Sequence, residues 1–477
     1  MTSFSAALYH SLPEVVLALS VLGILLYGAM RAKPTDGLAT ELAIAALALA
    51  GFFVIFGQTK NGLAFSDAFI NDGLGRFMKT LILVGSIGTL VMSQDYLRRN
   101  KMDKFEFPIL ILLATLGMFM LASANDLIAL YLGLETMSLA LYVLAAFNRD
   151  SVKATEAGLK YFVLGALSSG MLLYGSSLLY GTAGAVNFAA IAETAKSHPS
   201  LGLTFGLAFV LAGAAFKISA APFHMWTPDV YEGAPTPVTT FFATSAKVAA
   251  MAMLLRVVYV ALPGVLDQWR QIVGFLAIAS MALGSVAAIG QTNFKRLMAY
   301  SSIGHMGFAL VGVAAGNAAG MQGVMVYMAI YVLMTLGVFA AIIQMRRGDA
   351  QVEDIYELAG LARHDRGMAF LLAMLMFSLA GVPPLAGFFA KWYVFSAAVE
   401  AKLYGLAVIG VLLSVISAFY YLRIVKIIYF DEPAEEFAPR TASALWVFVI
   451  TSVLVLLFSF WPGGLDKAAL AAAKTFF

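Results

Sequence analysis

The sequence predicts an all-α polytopic membrane protein with about 14 transmembrane helices. Of its 477 residues, 61% are apolar and only 12% are charged, a composition that a soluble domain of this length would not tolerate. Apolar stretches of about 17 to 25 residues, which are long enough to cross a bilayer, recur along the chain. The charged residues fall mostly in the short segments between these stretches, as is typical of loops that join membrane helices.

The predicted spans follow one another from end to end of the chain. Their centres lie near residues 22, 48, 85, 115, 137, 170, 212, 248, 280, 304, 333, 378, 415 and 452. Span one is followed by Arg31-Ala32-Lys33-Pro34 rather than by a small-residue cleavage site, so we interpret it as a retained helix and not as a signal peptide. We assign spans one to three to residues 1–105, a first repeat to 106–262, a second repeat to 263–430 and span fourteen to 431–477.

Arginines and lysines in the loops predict the orientation of the chain. Most of them fall on one side, at Arg31, Lys33, Arg98, Arg99, Lys101, Lys104, Arg149, Lys153, Lys295, Arg296, Arg346, Arg347, Arg363, Arg366, Arg423, Lys426 and Arg440. The opposite side carries little beyond Lys60, Lys196, Arg270, Lys402, Lys467 and Lys474. Because cytoplasmic loops carry the excess of basic residues, both termini are predicted to lie in the periplasm or its equivalent.

Composition also excludes several functions. The formal net charge of +3 gives no sign of nucleic-acid binding. The chain has no cysteine, which excludes thiolate-held iron–sulfur clusters, disulfides and cysteine nucleophiles. Neither a dinucleotide-binding glycine fingerprint nor a haem-attachment motif nor a metal-ligand cluster occurs in the sequence. The sequence therefore predicts no redox cofactor and no metal in this chain.

Lys217 is the most informative residue, because it stands inside a long apolar run that Pro222 interrupts five residues later. A charged side chain within a membrane span is costly and usually functional. A proline frees backbone groups, and membrane helices tolerate this where protein or a water-filled cavity satisfies them. A charge beside a broken helix predicts an ion pathway.

The sequence predicts an internal repeat that is centred on such breaks. The stretch that begins with L-A-G at Leu211 resembles L-A-G-V-P-P-L-A-G-F-F-A-K from Leu379 to Lys391, although lysine and proline occur in the opposite order. The two stretches lie five spans apart. Because an odd number of helices reverses the direction of crossing, the pattern predicts two inverted five-helix repeats with broken helices at spans seven and twelve.

Four further groups lie at membrane depth: Glu135, Lys247, His305 and Lys391. Glu135 has no charge within one helical turn, so it is either neutral or paired with a cation on another helix. Buried lysines can exist in charged and neutral forms and can thus relay a proton, and His305 is suited to transfer near neutral pH. The alternatives are that Lys391, Lys247 or Lys217 only extends to the interface, that Glu135 is a structural partner, and that His305 is a core histidine.

Other charged residues favour structural interpretations. His224 is predicted to be an interfacial or hinge residue, and Arg256 and Lys79 are predicted to be interface anchors. Glu156 and Lys160 are spaced i,i+4 at the start of span six, where they cap the helix or supply protons inward.

Four motifs resemble a known family. They are P-F-H-M-W-T-P-D-V-Y-E-G-A-P-T-P from Pro222 to Pro237, F-K-I-S-A-A around Lys217, Y-S-S-I-G-H-M-G around His305 and L-G-L-E ending at Glu135. The motifs are similar to those of the antiporter-like subunits of respiratory NADH:quinone oxidoreductase, complex I. The resemblance covers essentially the whole chain. It implies a multi-pass protein of the bacterial inner membrane.

The resemblance also implies a role for each of the five buried residues. Glu135 corresponds to the glutamate that pairs electrostatically with the lysine of broken span seven, here Lys217. Lys247 corresponds to the lysine that links two half-channels, Lys391 to the charged residue of broken span twelve near the periplasmic side, and His305 to the polar central axis. The expected function is proton translocation along these residues.

The same resemblance implies partners and leaves one close alternative. Flavin, iron–sulfur clusters and quinone are expected in partner subunits of the membrane and peripheral parts of complex I, with no nucleic acid. The alternative is a cation/proton antiporter subunit of the Mrp type, which shares the fold and most of these charges. A purely structural membrane anchor is disfavoured, because the buried charges would then have a desolvation cost without a use.

Overall fold

The computed structural model describes residues 4–30, 37–57, 60–197, 200–348, 350–460 and 463–476. Arg31 and Lys33, which contribute to the predicted orientation, lie outside the described residues. Twelve helices in these ranges are long and apolar enough to cross a membrane, and every predicted span centre falls within a helix. The predicted all-α polytopic fold is confirmed.

The described residues between 4 and 99 form one short helix, three long helices and a small hairpin. The helices are α1 (Phe4–His10), α2 (Leu12–Met30), α3 (Leu38–Phe52), which continues into a π-helical turn (Phe53–Gly57), and α4 (Gly73–Arg99). Strands β1 (Gly62–Ala64) and β2 (Phe69–Asn71) pair antiparallel, with Gly62 opposite Asn71. Helix α4 begins at Gly73 because the Asp72 carboxylate accepts a hydrogen bond from the Gly75 amide at 2.7 Å, which caps the helix.

The predicted first repeat contains eight helices. They are α5 (Glu106–Ser123), α6 (Leu127–Ala145), α7 (Val152–Ala183), α8 (Phe188–Ser197), α9 (Leu201–Ile218), α10 (Thr227–Gly233), α11 (Thr236–Phe241) and α12 (Lys247–Arg256). Two π-helical turns, Phe242–Ala246 and Val257–Ala261, flank α12, so that α11 and α12 form one continuous span with a widened turn directly before Lys247. Such turns occur frequently at functional sites.

The predicted second repeat contains the remaining long helices. They are α13 (Leu266–Ile289), α14 (Phe294–Ala315), α15 (Ala318–Gln344), α16 (Leu361–His364), α17 (Arg366–Ala380), α18 (Ala386–Glu400) and α19 (Tyr404–Phe430), followed by α20 (Ala442–Leu457) and α21 (Gly463–Ala473). Strands β3 (Arg346–Arg347) and β4 (Ala350–Gln351) pair beyond the end of α15, and short 3-10 turns occupy Pro263–Val265, Ile355–Leu358 and Phe458–Phe460.

The core lies around α12, α14 and α15, whose residues are almost all buried. Fewer than half of the residues of helices α2, α3 and α19 are buried, and these helices lie at the periphery of the bundle. The lysine and histidine candidates therefore lie on or beside the innermost helices, where a charged group contacts protein rather than lipid.

In each predicted repeat, a glycine allows the first two helices of that repeat to approach each other closely. A Cβ atom at Gly117 on α5 would lie 2.4 Å from the backbone nitrogen of Met137 on α6. A Cβ atom at Gly284 on α13 would lie 2.5 Å from the backbone nitrogen of Gly304 on α14. Small residues at membrane helix contacts permit this packing. The same kind of close contact at equivalent helix pairs is consistent with an internal repeat. The boundaries of the repeat remain a prediction.

The structure corrects the interpretation of Lys79 and Arg256 as interface anchors. Both side chains are about 1% exposed. Lys79 Nζ lies 2.5 Å from Glu14 Oε1 and thereby joins α4 to α2. Arg256 donates two hydrogen bonds to Asp72, at 2.7 and 3.0 Å, and its Nε donates to the Ala122 carbonyl at 2.6 Å. Both residues are therefore partners in buried ion pairs, and the pair of Arg256 with Asp72 joins the start of α4 to the end of span eight.

We expect Arg256→Met to destabilise the protein by about 3 to 5 kcal/mol, because it leaves the Asp72 carboxylate buried and unpaired. The double variant Arg256→Met, Asp72→Ser should recover much of the loss, since serine still caps α4 and no charge remains. Thermal melting of the purified protein measures the effect. Arg347→Met, which breaks the partly exposed pair with Glu357, is the control and should cost about 1 kcal/mol or less. Equal losses for the two single variants would contradict the expectation.

Candidate functional site at the two helix breaks

The first break lies between α9 and α10. Helix α9 ends because Ser219 adopts a left-handed conformation with φ of 62°, and the Ala220 amide then donates to the Ala215 carbonyl at 2.8 Å. This is a helix C-terminal motif that leaves the last carbonyls without further helical partners. The carbonyl end of a helix carries partial negative charge. The break therefore places an attractive site for a cation inside the protein.

Lys247 occupies this site. Its ammonium donates to the Ile218 carbonyl at 2.8 Å and to the Ser219 hydroxyl, and the side chain is 1% exposed. Lys247 follows the π-helical turn of its span, whereas Ile218 ends α9, so the contact joins span eight to broken span seven. The partners are neutral oxygens. Hydrogen bonds and the helix dipole stabilise the ammonium without a full counter-charge, and the lysine can release a proton more readily than it could from an ion pair.

Lys217 precedes the same break on α9 and contacts α6. Its ammonium donates to the Ser138 hydroxyl at 2.7 Å and more weakly to the Tyr142 hydroxyl at 3.4 Å. Among the residues that the structure describes, no carboxylate lies within 4.0 Å of Lys217 Nζ. Glu135 lies one turn from Ser138 on the same helix, and its Oε1 atom is buried without a hydrogen-bond partner.

The expected electrostatic pairing of Glu135 with Lys217 does not take the form of a salt bridge within the described residues. Ser138, one turn from Glu135 on α6, accepts the hydrogen bond from Lys217 instead. Sequence reasoning did not find Ser138 or Tyr142. The available signal was their spacing from Glu135, i+3 and i+7, which places the three side chains on one face of α6.

Aromatic rings enclose Lys217. The ring centroids of Tyr142 and Tyr161 lie 5.5 and 6.0 Å from its ammonium, within the range of cation–π attraction. Tyr161 stacks on Trp226 at 4.5 Å, and Trp226 Nε1 donates to the Phe216 carbonyl at 3.0 Å. His224, predicted to be an interfacial or hinge residue, lies half-buried in the segment between α9 and α10. The rings separate Lys217 from the surface and fix the start of α10.

The second break lies between α17 and α18 and repeats the arrangement. Gly381, with φ of 88°, ends α17, and the Val382 amide donates to the Phe377 carbonyl at 3.0 Å. Lys391 on α18 donates to the Ala380 carbonyl and to the Ser414 hydroxyl, each at 2.8 Å. Its side chain is buried and points to the break rather than to the interface. Each broken helix thus has a buried lysine at its carbonyl end.

His305 lies near the second break, within a group of hydroxyls. Its Nδ1 is 2.6 Å from the Tyr327 hydroxyl and its Nε2 is 3.0 Å from the Tyr421 hydroxyl, which also lies 2.5 Å from Ser301 Oγ. Phe308, one turn along α14, places its ring 4.7 Å from the Lys391 ammonium. Within the described residues, no hydrogen bond joins Lys247 directly to His305. The structure therefore forms two groups, Glu135 with Lys217 and Lys247, and His305 with Lys391.

Outside the membrane-spanning helices, a charged cluster holds α10. Asp229 accepts hydrogen bonds from Lys160 at 2.8 Å and from Arg296 at 2.7 Å, while Glu232 contacts Lys153 at 3.1 Å and Arg296 at 3.2 Å. Burial alone would raise the pKa of Asp229, but the hydrogen bonds from Lys160 and Arg296 hold its pKa below the ordinary value. The cluster ties α10 to α7 in one predicted repeat and to α14 in the other.

The predicted pair of Glu156 and Lys160 is present in this cluster. The carboxylate of Glu156 lies 2.6 Å from Lys160 Nζ, and both side chains are exposed. Lys160 bonds Asp229 at the same time. The pair is therefore part of the attachment of α10 as well as an i,i+4 contact on α7.

The family described as "NADH:quinone oxidoreductase/Mrp antiporter, TM" matches residues 124–417, a range that contains all five candidates. NADH-quinone oxidoreductase subunit N of Beijerinckia indica is 61% identical over 477 residues and is covered completely, as is this chain. The chain belongs to the subunit N family of NADH-quinone oxidoreductase. Among the antiporter-like subunits of complex I, the W-T-P-D-V-Y-E-G-A-P motif is most similar to that of subunit N, and it therefore predicts this subunit. The prediction is confirmed.

Solved structures agree with membership of the subunit N family. A chain of respiratory complex I from Thermus thermophilus, in a structure with bound aureothin, has a TM-score of 0.84 and is 34% identical, with 96% of this chain and 100% of that chain covered. A chain of the Mrp complex from a Dietzia species has a TM-score of 0.87 at 21% identity, covering 98% of this chain and 97% of that one. The second match shows a shared fold alone, whereas the higher identities place the chain with subunit N.

Proposed function

We propose that the chain is a proton-translocating membrane subunit of an assembled NADH-quinone oxidoreductase. It couples quinone reduction in partner subunits to proton transfer along Glu135, Lys217, Lys247, His305 and Lys391. Flavin, iron–sulfur clusters and quinone belong to those partners, and both termini of this chain lie on the periplasmic side of a bacterial inner membrane. The observation that carries the proposal is a buried lysine with neutral oxygen partners at the carbonyl end of each broken helix.

The charges around the first break favour proton transfer in one direction, from Lys217 toward Lys247. Glu135 is unpaired and one turn from Ser138, so a movement of α6 or α9 changes its distance from Lys217 without first breaking an ion pair. When Glu135 moves away, the charged form of Lys217 loses stabilisation and releases its proton toward Lys247. Two ammonium groups near one break repel each other in a medium of low dielectric constant. When Lys217 takes up its next proton, this repulsion favours onward transfer from the protonated Lys247 toward His305 and Lys391.

Similarity to the Mrp chain leaves one second candidate, a cation/proton antiporter subunit. The 61% identity to subunit N over the full length favours the first function, because the Mrp chain is only 21% identical. A direct test is to reconstitute the complex, purified through a tag on this chain, into proteoliposomes. NADH with a short-chain quinone should acidify the lumen at the same rate with or without sodium. Acidification that needs a sodium gradient, or purification without flavin absorbance, would support the antiporter instead.

Glu135 provides a specific test of the electrostatic step. We expect Glu135→Gln to lower coupled turnover by up to about tenfold, the effect of a free-energy change of about 1.4 kcal/mol on the proton affinity of its partner. Glu135→Asp keeps the charge and should be milder. Proton pumping and NADH:quinone activity, each normalised to assembled complex, measure the result. If both variants matched the unmodified protein, Glu135 would have no part in transfer.

A further inference from the structure

A groove at the membrane surface of the bundle is separate from the proton-transfer residues. It has a volume of about 360 Å³ and lies between α2, α5 and α6, on the outside of the first predicted repeat. The wall is apolar and includes Leu25 of α2, Leu110 and Leu113 of α5, and Val143 of α6. Leu25 and Val143 are exposed, so the groove opens on the outside of the chain. Its volume falls in the usual range of ligand sites, about 300 to 1,000 Å³.

Two cations lie at one end of the groove. Lys104 lies two residues before the start of α5 and Arg149 lies four residues after the end of α6, so both stand where these helices leave the hydrocarbon region. Both side chains are exposed. Among the described residues, no carboxylate lies within 4.0 Å of either cationic group. These are the conditions in which basic side chains between membrane helices bind lipid headgroups.

Glu106 is the third charged residue that lines the groove. Its carboxylate opposes an anion, so the lining carries two positive charges and one negative charge. The net positive charge complements a phosphate, while the apolar wall that continues for about 10 Å along α5 complements an acyl chain. A free phosphate would leave that wall empty, and a soluble peptide would not reach it.

We propose that this groove binds an anionic phospholipid, with the headgroup phosphate between Lys104 and Arg149 and the first part of an acyl chain along α2, α5 and α6. The basic side of the membrane is also the side on which anionic lipids attract Lys and Arg, by about 1 kcal/mol for each side chain. That energy corresponds to about fivefold in affinity per cation. The lipid ties α2 to the first predicted repeat at a position where the three helices do not close on one another.

The test uses the intact purified complex in nanodiscs that contain a trace of phosphatidylglycerol with a photoreactive acyl chain. Labelled peptides are mapped by mass spectrometry. Labelling is expected at residues 104–113 and 143–149, several-fold stronger than with a phosphatidylcholine probe of the same chain. The variant Lys104→Gln, Arg149→Gln should lower labelling there by about 25-fold. The control Lys101→Gln, Arg366→Gln removes two other exposed cations on the same side and should leave labelling unchanged.

The variant Glu106→Gln distinguishes binding of an anionic lipid from binding of a zwitterionic lipid. Loss of this carboxylate should raise labelling by phosphatidylglycerol, because a repulsive charge is removed. If phosphatidylethanolamine were the occupant, with its amine at Glu106, the same variant would lower binding and overturn the proposal. Equal labelling by the phosphatidylglycerol and phosphatidylcholine probes, or no labelling because a partner subunit covers the groove, would also overturn it.

Discussion

Replacing Lys217 by alanine is expected to reduce proton pumping and coupled NADH:quinone turnover by about tenfold or more, since positioned proton-transfer groups contribute at least about 10²-fold in many enzymes. The substitution removes the ammonium that contacts Ser138 at 2.7 Å before the first break. The neighbouring rings of Tyr142 and Tyr161 cannot carry a positive charge in its place. Activity and membrane potential, both normalised to assembled complex, measure the effect.

Two further variants separate the charge of Lys217 from its volume. Lys217→Met retains an unbranched side chain and should be as inactive as Lys217→Ala, whereas Lys217→Arg should restore assembly but not full turnover, because a guanidinium does not release its proton near neutral pH. Leu211→Ala truncates another buried side chain of α9 and is the packing control. Unmodified coupled activity in an assembled Lys217→Ala complex would remove this residue from the mechanism.

The second large effect concerns the two lysines at the carbonyl ends of the breaks. If Lys247 and Lys391 act in one pathway, Lys247→Ala and Lys391→Ala should each reduce activity by about tenfold, and the double variant should be little worse than the worse single variant. Independent roles would multiply the losses to about 100-fold, because the free-energy changes of independent sites add. Deamino-NADH oxidase activity and membrane potential, normalised to assembled complex, distinguish the two outcomes.

Exposed lysines provide the control for this comparison. Lys196 and Lys467 are exposed and lie far in sequence from either break, so their alanine variants should retain activity and assembly. Losses in the Lys247 and Lys391 variants that follow the amount of assembled complex would count against a serial relay. Such a result would indicate that the two ammonium groups only stabilise the ends of α9 and α17.

The candidate lysines could be predicted because their signals are local in the sequence. A charge within an apolar run, close to a proline or a repeated L-A-G stretch, is visible without any knowledge of helix packing. The structure places Lys247 and Lys391 at the breaks. It assigns no function to them, and the transfer roles remain a prediction.

The partners of these residues could not be predicted, because they depend on how helices rotate and pack. Ser138, Tyr327, Tyr421 and Ser414 are neutral residues in apolar spans, and such residues are common in membrane helices. Arg256 was misinterpreted for the same reason, since its carboxylate partner Asp72 is 184 residues away in the chain. Only the folded bundle shows that this arginine is buried and paired.

The attachment of α10 has a mechanical consequence. This seven-residue helix follows the first break and is held by carboxylates at both of its turns, with Arg296 of α14 bridging Asp229 and Glu232. Helix α14 also carries His305 and, one turn later, Phe308, whose ring lies 4.7 Å from the Lys391 ammonium at the second break. A displacement of the first break must therefore either pull α14 with it or separate Arg296 from two carboxylates. As long as these ion pairs persist, a movement that begins at the first break is transmitted along α14 toward the second.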